Sequence, residues 1–208
     1  MVQYKLTFFD SRGLAEPARL IMTYAGVKFE DERIGGFETI EPIRDQLPYG
    51  QLPVLTVDGK TEIGQSLAIF RFLGRRHGLG GKDDVEQALV DSYGEFIYDM
   101  LASARPYIFV AAGHVQGDKK KLLEEFKTFV DTKWAKYFNR LVESSGSGFL
   151  AKSGLTWPDF VVANFYETAT VHGMEPIVNL KSFKAIHDKV KALPQLKNYF
   201  AQRKQTKF

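Results

Sequence analysis

Between Leu47 and Ser66 the chain has little conformational freedom, and the rest of the reading is arranged around this stretch. Leu47-Pro48-Tyr49-Gly50-Gln51-Leu52-Pro53 is followed by Val54-Leu55-Thr56-Val57, then Asp58-Gly59, then a short β-rich run at Thr61 to Ile63. Asp-Gly between two such runs is a strong hairpin signal, because both residues tolerate the left-handed region that a two-residue turn demands. A tight antiparallel pair is expected. Leu52 precedes a proline, which pushes its backbone toward the extended region, and an X-Pro bond directly before a strand is a candidate for the cis form. The extended Leu52 then presents its N–H and C=O outward. Gln65-Ser66 stands where the hairpin ends and a helical apolar pattern begins (Leu67, Ile69, Phe70, Leu73), so the first free amides of that helix point at whatever lies beyond. Such an end favours a carboxylate. An extended backbone edge beside an anion-friendly helix start suits a small peptide carrying a free carboxylate.

The remaining composition narrows the possibilities. A chain of 208 residues with 44% apolar content has room for one large or two small domains with real cores. The net charge of +3 comes from 28 basic and 25 acidic residues spread without a basic block, which argues against nucleic acid as a partner. No signal-peptide core opens the sequence and no apolar run reaches the roughly 20 residues of a membrane span, so a soluble, cytoplasmic protein without a membrane partner is expected. Cysteine is absent, which removes disulfides, thiolate metal sites, a cysteine nucleophile and any dithiol redox pair. The four histidines, His77, His114, His172 and His187, show no metal-ligand spacing, so no metal is expected.

Along the chain, Tyr4 to Phe9 reads as a strand ended by Asp10-Ser11-Arg12-Gly13, and Leu14, Ala18, Ile21, Met22 and Ala25 recur at helical spacing up to Gly26. Val27 to Ile34 reads as a second strand, and Ile40 to Leu47 as a short helix. Two strands joined by a helix imply a parallel pair with a right-handed crossover, to which the hairpin adds an antiparallel edge. A small sheet covered by helices in this order is the thioredoxin-like plan. Gly78 to Asp84 reads as a linker, dividing residues 1–79 from residues 84–208. Everything beyond it reads as helix. Val85, Leu89, Tyr93, Phe96 and Met100 form one stripe, and Leu122, Phe126, Phe129, Val130, Trp134, Tyr137 and Leu141 another, both read as core faces of extended helices. Thr156-Trp157-Pro158-Asp159 reads as a capping box that starts a buried helix through Phe160, Val161 and Phe165.

A thioredoxin-like half without cysteine has no thiol of its own, so thiol chemistry requires that the thiol arrive with the substrate. Tyr4-Lys5-Leu6-Thr7-Phe8-Phe9, Arg12-Gly13-x-Ala15-Glu16, the Leu47 to Pro53 turn, Val57-Asp58-Gly59, Gln65-Ser66-Leu67-Ala68-Ile69 and Thr156-Trp157-x-Asp159 follow one another in a family order. In that order the sequence resembles the glutathione S-transferases over essentially its whole length. It is most similar to the sigma-type group, which includes nematode enzymes and glutathione-dependent prostaglandin D synthases. The resemblance implies a thioredoxin-like glutathione-binding domain, an all-helical domain carrying a hydrophobic-substrate site, glutathione as co-substrate, and a homodimer. By the same resemblance Leu52, before a cis-Pro53, pairs through its backbone with the cysteinyl part of glutathione. Gln65 and Ser66 hold the γ-glutamyl carboxylate, with Gly50 and Gln51 beside them. Arg44 stands where the family usually has a lysine that meets the glycyl carboxylate, and Ile40 where it usually has a tryptophan, so one glycyl-end contact is expected to be lost. Asp99 is implied to reach across the dimer to the γ-glutamyl amine of the neighbouring subunit's ligand. By themselves Arg44 and Asp99 read as residues of solvated helix faces.

The departure from the pattern is Phe8. Members of this type place there a tyrosine whose hydroxyl donates to the glutathione sulfur and stabilises the thiolate. A free thiol has a pKa of about 8.5 and needs such help at neutral pH. Phe8 and Phe9 have no donor, and Tyr4, four residues back on an extended strand, is about 13 Å away. Ser11, assisted by the backbone amide of Arg12, is the candidate substitute; its ordinary reading is a helix N-cap. Leu14, Met100, Ala104, Tyr107 and Phe208 are implied to form the site of a hydrophobic electrophile. The expected activity is conjugation of glutathione to such compounds in detoxification, weakened by Phe8. The alternatives are a non-catalytic binder of glutathione or apolar ligands, a crystallin-like structural protein, and a glutathione-dependent prostaglandin isomerase.

Overall fold

The computed structural model of the chain describes residues 2–206. Strand β1 (Tyr4–Phe8) is central. It pairs in parallel with β2 (Phe29–Arg33), Tyr4 opposite Phe29, and antiparallel with β3 (Val54–Val57), Thr7 opposite Val54. The hairpin then adds β4 (Thr61–Gly64) at the edge, giving the order β2-β1-β3-β4. Asp58 and Gly59 both take positive φ, 52° and 65°, as the two-residue turn between β3 and β4 requires. Leu52-Pro53 is cis. Helix α1 (Glu16–Tyr24) and helix α2 (Ser66–Arg76) cover the sheet, burying Leu20, Ile21, Ile69, Phe70 and Leu73 against Leu6 and Leu55. This is a thioredoxin-like β/α unit with a mixed four-stranded sheet.

All regular elements beyond it are helical: α3 (Asp84–Ala111), α4 (Lys119–Phe129), α5 (Ala135–Ser145), α6 (Trp157–Val171), the one-turn α7 (Glu175–Val178), α8 (Lys181–Lys191) and α9 (Lys197–Gln202). The apolar stripe of α3 is displaced from its expected position. Val85 is 72% exposed and Leu89 46%, whereas Val90, Ile97, Met100, Ala104 and Tyr107 are buried. Between α4 and α5 a π-helical turn, Val130–Trp134, inserts an extra residue into the helical repeat. The buried face beyond it passes through Trp134 and Phe138, and Tyr137, expected inside, is 48% exposed. The capping box forms as expected: Thr156 N–H donates to Asp159 Oδ2 at 2.8 Å and Thr156 Oγ1 to the same oxygen at 3.0 Å. Trp157, the first residue of α6, is fully buried 6.1 Å from the Phe70 ring and donates its backbone N–H to Leu79 O. That indole joins the helical part to α2.

Candidate active site

One cavity of about 820 Å³ lies between the β/α part and the helical part. Its first wall comes from the hairpin approach. Leu52, Pro53, Gly50 and Gln51 line it, and no backbone hydrogen bond among the described residues uses the N–H or C=O of Leu52. Gln65 follows with φ 68° and ψ 115°, an arrangement that delivers the start of α2 to the cavity edge. Its amide Nε2 donates to Gln51 Oε1 at 3.2 Å. Ser66, the first residue of α2, and Leu67 continue the same wall. Arg44 borders it from a 3₁₀ segment (Glu41–Gln46), donating to Gly50 O at 3.1 Å and pairing with Glu41; Ile40 lies alongside.

The end of β1 supplies the second wall. Phe8 and Phe9 stack edge to face 5.2 Å apart, and both rings line the cavity with Leu14. Gly13 has φ 40°, and a Cβ there would lie 2.6 Å from Phe8 Cε1, so glycine is what lets the loop close over the ring. Tyr4 is absent from the cavity, its ring packing edge-on against Phe72 and His77. Ser11 is part of the wall, and the expected N-cap is not made. The first helical turn, Gly13–Ala15, is preceded by Arg12 and receives no side-chain cap, because the loop bends before the serine reaches the helix start. Arg12 departs from expectation as well. Its amide donates to Thr206 Oγ1 at 3.2 Å, and its buried guanidinium, which does not border the cavity, donates to Asn164 Oδ1 at 3.0 Å and to Glu167.

The third wall is helical, and Met100, Ala104 and Tyr107 are not among the residues that border it. Met100, Ala104 and Tyr107 are core residues, the Tyr107 hydroxyl donating to His172 O at 2.6 Å. The cavity face of α3 carries Tyr98, Leu101, Arg105, Ile108 and Phe109. Leu101, Arg105 and Ile108 each follow one of the expected residues by one position, and one position on a helix is a rotation of about 100°. His114 after α3, and Val161, Asn164, Phe165 and Thr168 of α6, complete the wall. A stripe interrupted by Arg105 does not read as an apolar face, which is why the sequence did not reveal it. Asp99 is exposed on α3 and does not border the cavity within one chain. Phe208 lies outside the described residues. Among the described residues no cluster of His, Asp or Glu is placed to hold a metal ion, and no helix is long and apolar enough to cross a membrane.

Comparison with known proteins follows the same division into two parts. The family model for the glutathione S-transferase N-terminal domain matches residues 14–92, and that for the C-terminal domain matches residues 103–203. Glutathione S-transferase 1 of Ascaris suum is 39% identical to the chain, with 100% of both sequences covered. The crystal structure of the glutathione S-transferase from Ascaris lumbricoides superposes with a TM-score of 0.90 at 38% identity, covering 99% of this chain and 100% of that one. A structure of prostaglandin synthase D of Nilaparvata lugens superposes at 0.82 with 32% identity, covering 98% and 100%. A cysteine-free thioredoxin-like half and a helical half facing each other across one cavity thus belong to the glutathione S-transferases, enzymes that use glutathione, and among them this chain is of the nematode, sigma-like type.

Proposed function

We propose that residues 1–79 hold glutathione and that residues 84–208 supply the pocket in which its thiolate attacks hydrophobic electrophiles. The observation that carries this reading is the first wall of the cavity. The unused backbone groups of Leu52, the helix start at Gln65-Ser66 and the Arg44 guanidinium line one side of it, with Phe8 and Ser11 across from them. Leu52 pairs with the cysteinyl backbone, Gln65 and Ser66 take the γ-glutamyl carboxylate, and Arg44 takes the glycyl carboxylate beside Gly50, Gln51 and Ile40. Asp99, exposed on α3, reaches the ligand of a second copy in a homodimer. Ser11 is the group that stabilises the sulfur, because the residue lines the cavity and its hydroxyl is not spent on a helix cap. Leu14, Leu101, Ile108 and Phe165 enclose the electrophile. Proximity of the two substrates in an apolar cleft then drives conjugation.

Phe8 favours a second reading, a glutathione binder with little catalytic power. The ultraviolet absorbance of the bound thiolate, titrated in this chain and in Phe8→Tyr, separates the two. The expected result is a bound thiol that ionises below its free pKa of about 8.5 in the native chain. Phe8→Tyr then lowers it further and raises turnover by about tenfold, since a hydrogen bond to a charged partner is worth about 1.5 to 3 kcal/mol. Ionisation only at the free pKa in the native chain would leave the binder. Failure to bind glutathione at millimolar concentration would remove both readings.

A further inference from the structure

The hairpin wall of the cavity has two unlike ends. At one, the buried Ser66 opens α2, and Gln65 before it is tied to Gln51. At the other stands Arg44, which among the described residues lining this wall alone is cationic. Its own segment already engages it. Glu41–Gln46 is a 3₁₀ turn, in which side chains three positions apart eclipse one another, so Glu41 and Arg44 stand face to face. Nε and Nη2 of Arg44 donate to the two oxygens of Glu41 as a fork, Nε at 3.3 Å, and Nη1 donates to Gly50 O at 3.1 Å. A Cβ at Gly50, where φ is 60°, would lie 3.1 Å from Arg44 Cγ, so glycine lets the arginine stem lie close to the loop. All three guanidinium nitrogens have an acceptor, and the pair carries no net charge.

A carboxylate arriving here meets a neutral pair. It displaces the Glu41 carboxylate from the arginine fork or shares the guanidinium with it, and two like charges on one cation repel each other. Glu41 is 72% exposed and Arg44 43%, so water screens the attraction that remains and the rim is open. An ester or amide at the same place bears no charge and leaves the fork intact. We infer that Glu41 is a specificity-determining residue of this site. It holds Arg44 against the glycyl carboxylate, and the chain accepts γ-glutamyl thiol peptides whose glycyl carboxylate is esterified, amidated or extended nearly as well as glutathione itself. Selection then falls on the γ-glutamyl end, through Gln65, Ser66 and the free amides of the helix start. This inference rests on the reading that glutathione lies along the hairpin wall, and it refines one contact of that reading: Arg44 meets the glycyl carboxylate only in competition with Glu41.

Calorimetric titration of glutathione and of its glycyl ethyl ester into the full chain tests the competition without requiring turnover. The native chain is expected to bind the two within about twofold of each other. Glu41→Gln removes the competing charge and keeps Arg44. It is expected to bind glutathione about fivefold tighter with its affinity for the ester unchanged, the worth of one exposed ion pair. Adding Arg44→Gln to Glu41→Gln is expected to abolish that gain, because the gain passes through the arginine. Glu41 is exposed, so its substitution does not endanger folding. A native preference for glutathione over the ester of about fivefold or more, an unchanged ratio in Glu41→Gln, or a gain that survives in the double variant would each overturn the inference and leave glutathione on the hairpin wall. Binding of neither peptide by the native chain would remove the inference and that reading together.

Discussion

Phe8 and Ser11 both line the cavity at the end of β1, and in the proposed reading only one of them brings a hydrogen-bond donor to the sulfur. Phe8 offers a ring edge held by Phe9 and by the close approach of Gly13. Ser11 offers a hydroxyl, and its backbone is fixed by two hydrogen bonds, its own N–H to Phe9 O at 2.7 Å and Arg19 Nη1 to its carbonyl at 2.7 Å. Ser11→Ala is therefore expected to lose about tenfold in kcat/KM and to return the thiol of bound glutathione to its free pKa. Because the serine caps no helix, the melting temperature is expected to stay within about 2 °C of the native value. A large drop in stability with unchanged thiol ionisation would assign Ser11 to the fold instead.

At the scale of elements, α6 is the helix whose start had to be specified most strictly. Asp159 is wholly buried and accepts from Thr156 N–H, Thr156 Oγ1 and Leu150 N–H, so one carboxylate ties the helix start to the segment before it. Burial pushes its carboxyl up to about 7, with those three donors opposing the rise. A folded-state pKa above the unfolded value of about 3.9 means that the folded chain binds the proton more tightly. The contribution of Asp159 is then fully present below about pH 4 and is lost as pH rises toward about 7. In urea unfolding, the native chain is expected to lose on the order of 2 kcal/mol from this group between about pH 5 and pH 7. Asp159→Asn is expected to lack that slope and to be less stable at both values, because an amide nitrogen meets backbone donors where the carboxylate accepted them. The same helix requires Gly94 on α3: a Cβ there would run into the Trp157 ring. Gly94→Ala is expected to cost about 2 kcal/mol or more, as overpacking in a closed core does.

At the scale of the molecule, a buried ionic cluster fastens the two parts together behind the cavity. Arg203, which follows α9, pairs with Glu16 of α1 at 2.7 Å and with Glu167 of α6, and the Tyr199 hydroxyl donates to Glu16 at 3.0 Å. Arg12 reaches Glu167 at 3.4 Å, Lys191 reaches it at 3.2 Å, and Lys204 pairs with Asp10. The carboxy-terminal segment thus holds the Asp10 to Arg12 loop from outside while Ser11 lines the cavity from inside. Burial by itself would raise the Glu167 carboxyl, but hydrogen bonds from His187 and Arg203 and the charges of Arg203 and Lys191 hold it well below the usual carboxylate range. Its contribution is therefore present above the unfolded pKa of about 4.3 and is lost as pH falls. Glu167→Gln is expected to cost about 3 kcal/mol near neutral pH, since it leaves two buried guanidinium groups short of an anion, and the difference from the native chain is expected to shrink on acidification. Chemical unfolding of both chains at neutral and acid pH measures it. A constant difference across that range would mean that Glu167 acts by shape and not by charge.

The fold and the first wall of the cavity were legible in the sequence because short-range rules govern them. Asp58-Gly59 specifies the turn, the β-rich runs at Tyr4 to Phe9 and Val54 to Val57 specify strands, and Thr156 with Asp159 specifies a helix start, each within a few residues. Leu52, Gln65 and Ser66 lie in one such run, so their neighbourhood followed from their order. The helical wall did not follow. On α3 the inward and cavity faces both carry apolar residues, and only packing against α6 decides that Met100 and Ala104 turn to the core while Leu101 and Arg105 turn to the cavity. The π-helical turn before α5 shifted the buried face in the same way, leaving Tyr137 outside. The engagement of the Arg12 amide by Thr206, and of its guanidinium by Asn164 and Glu167, joins residues more than 150 positions apart. Hydrogen bonds and charge pairs of that range carry no periodicity in the sequence. The sequence determined that this chain has a hairpin followed at once by a helix start. Tertiary packing alone decided which charged residues line the cavity beside them, because burial of one face of α3 fixes which way the helix is turned.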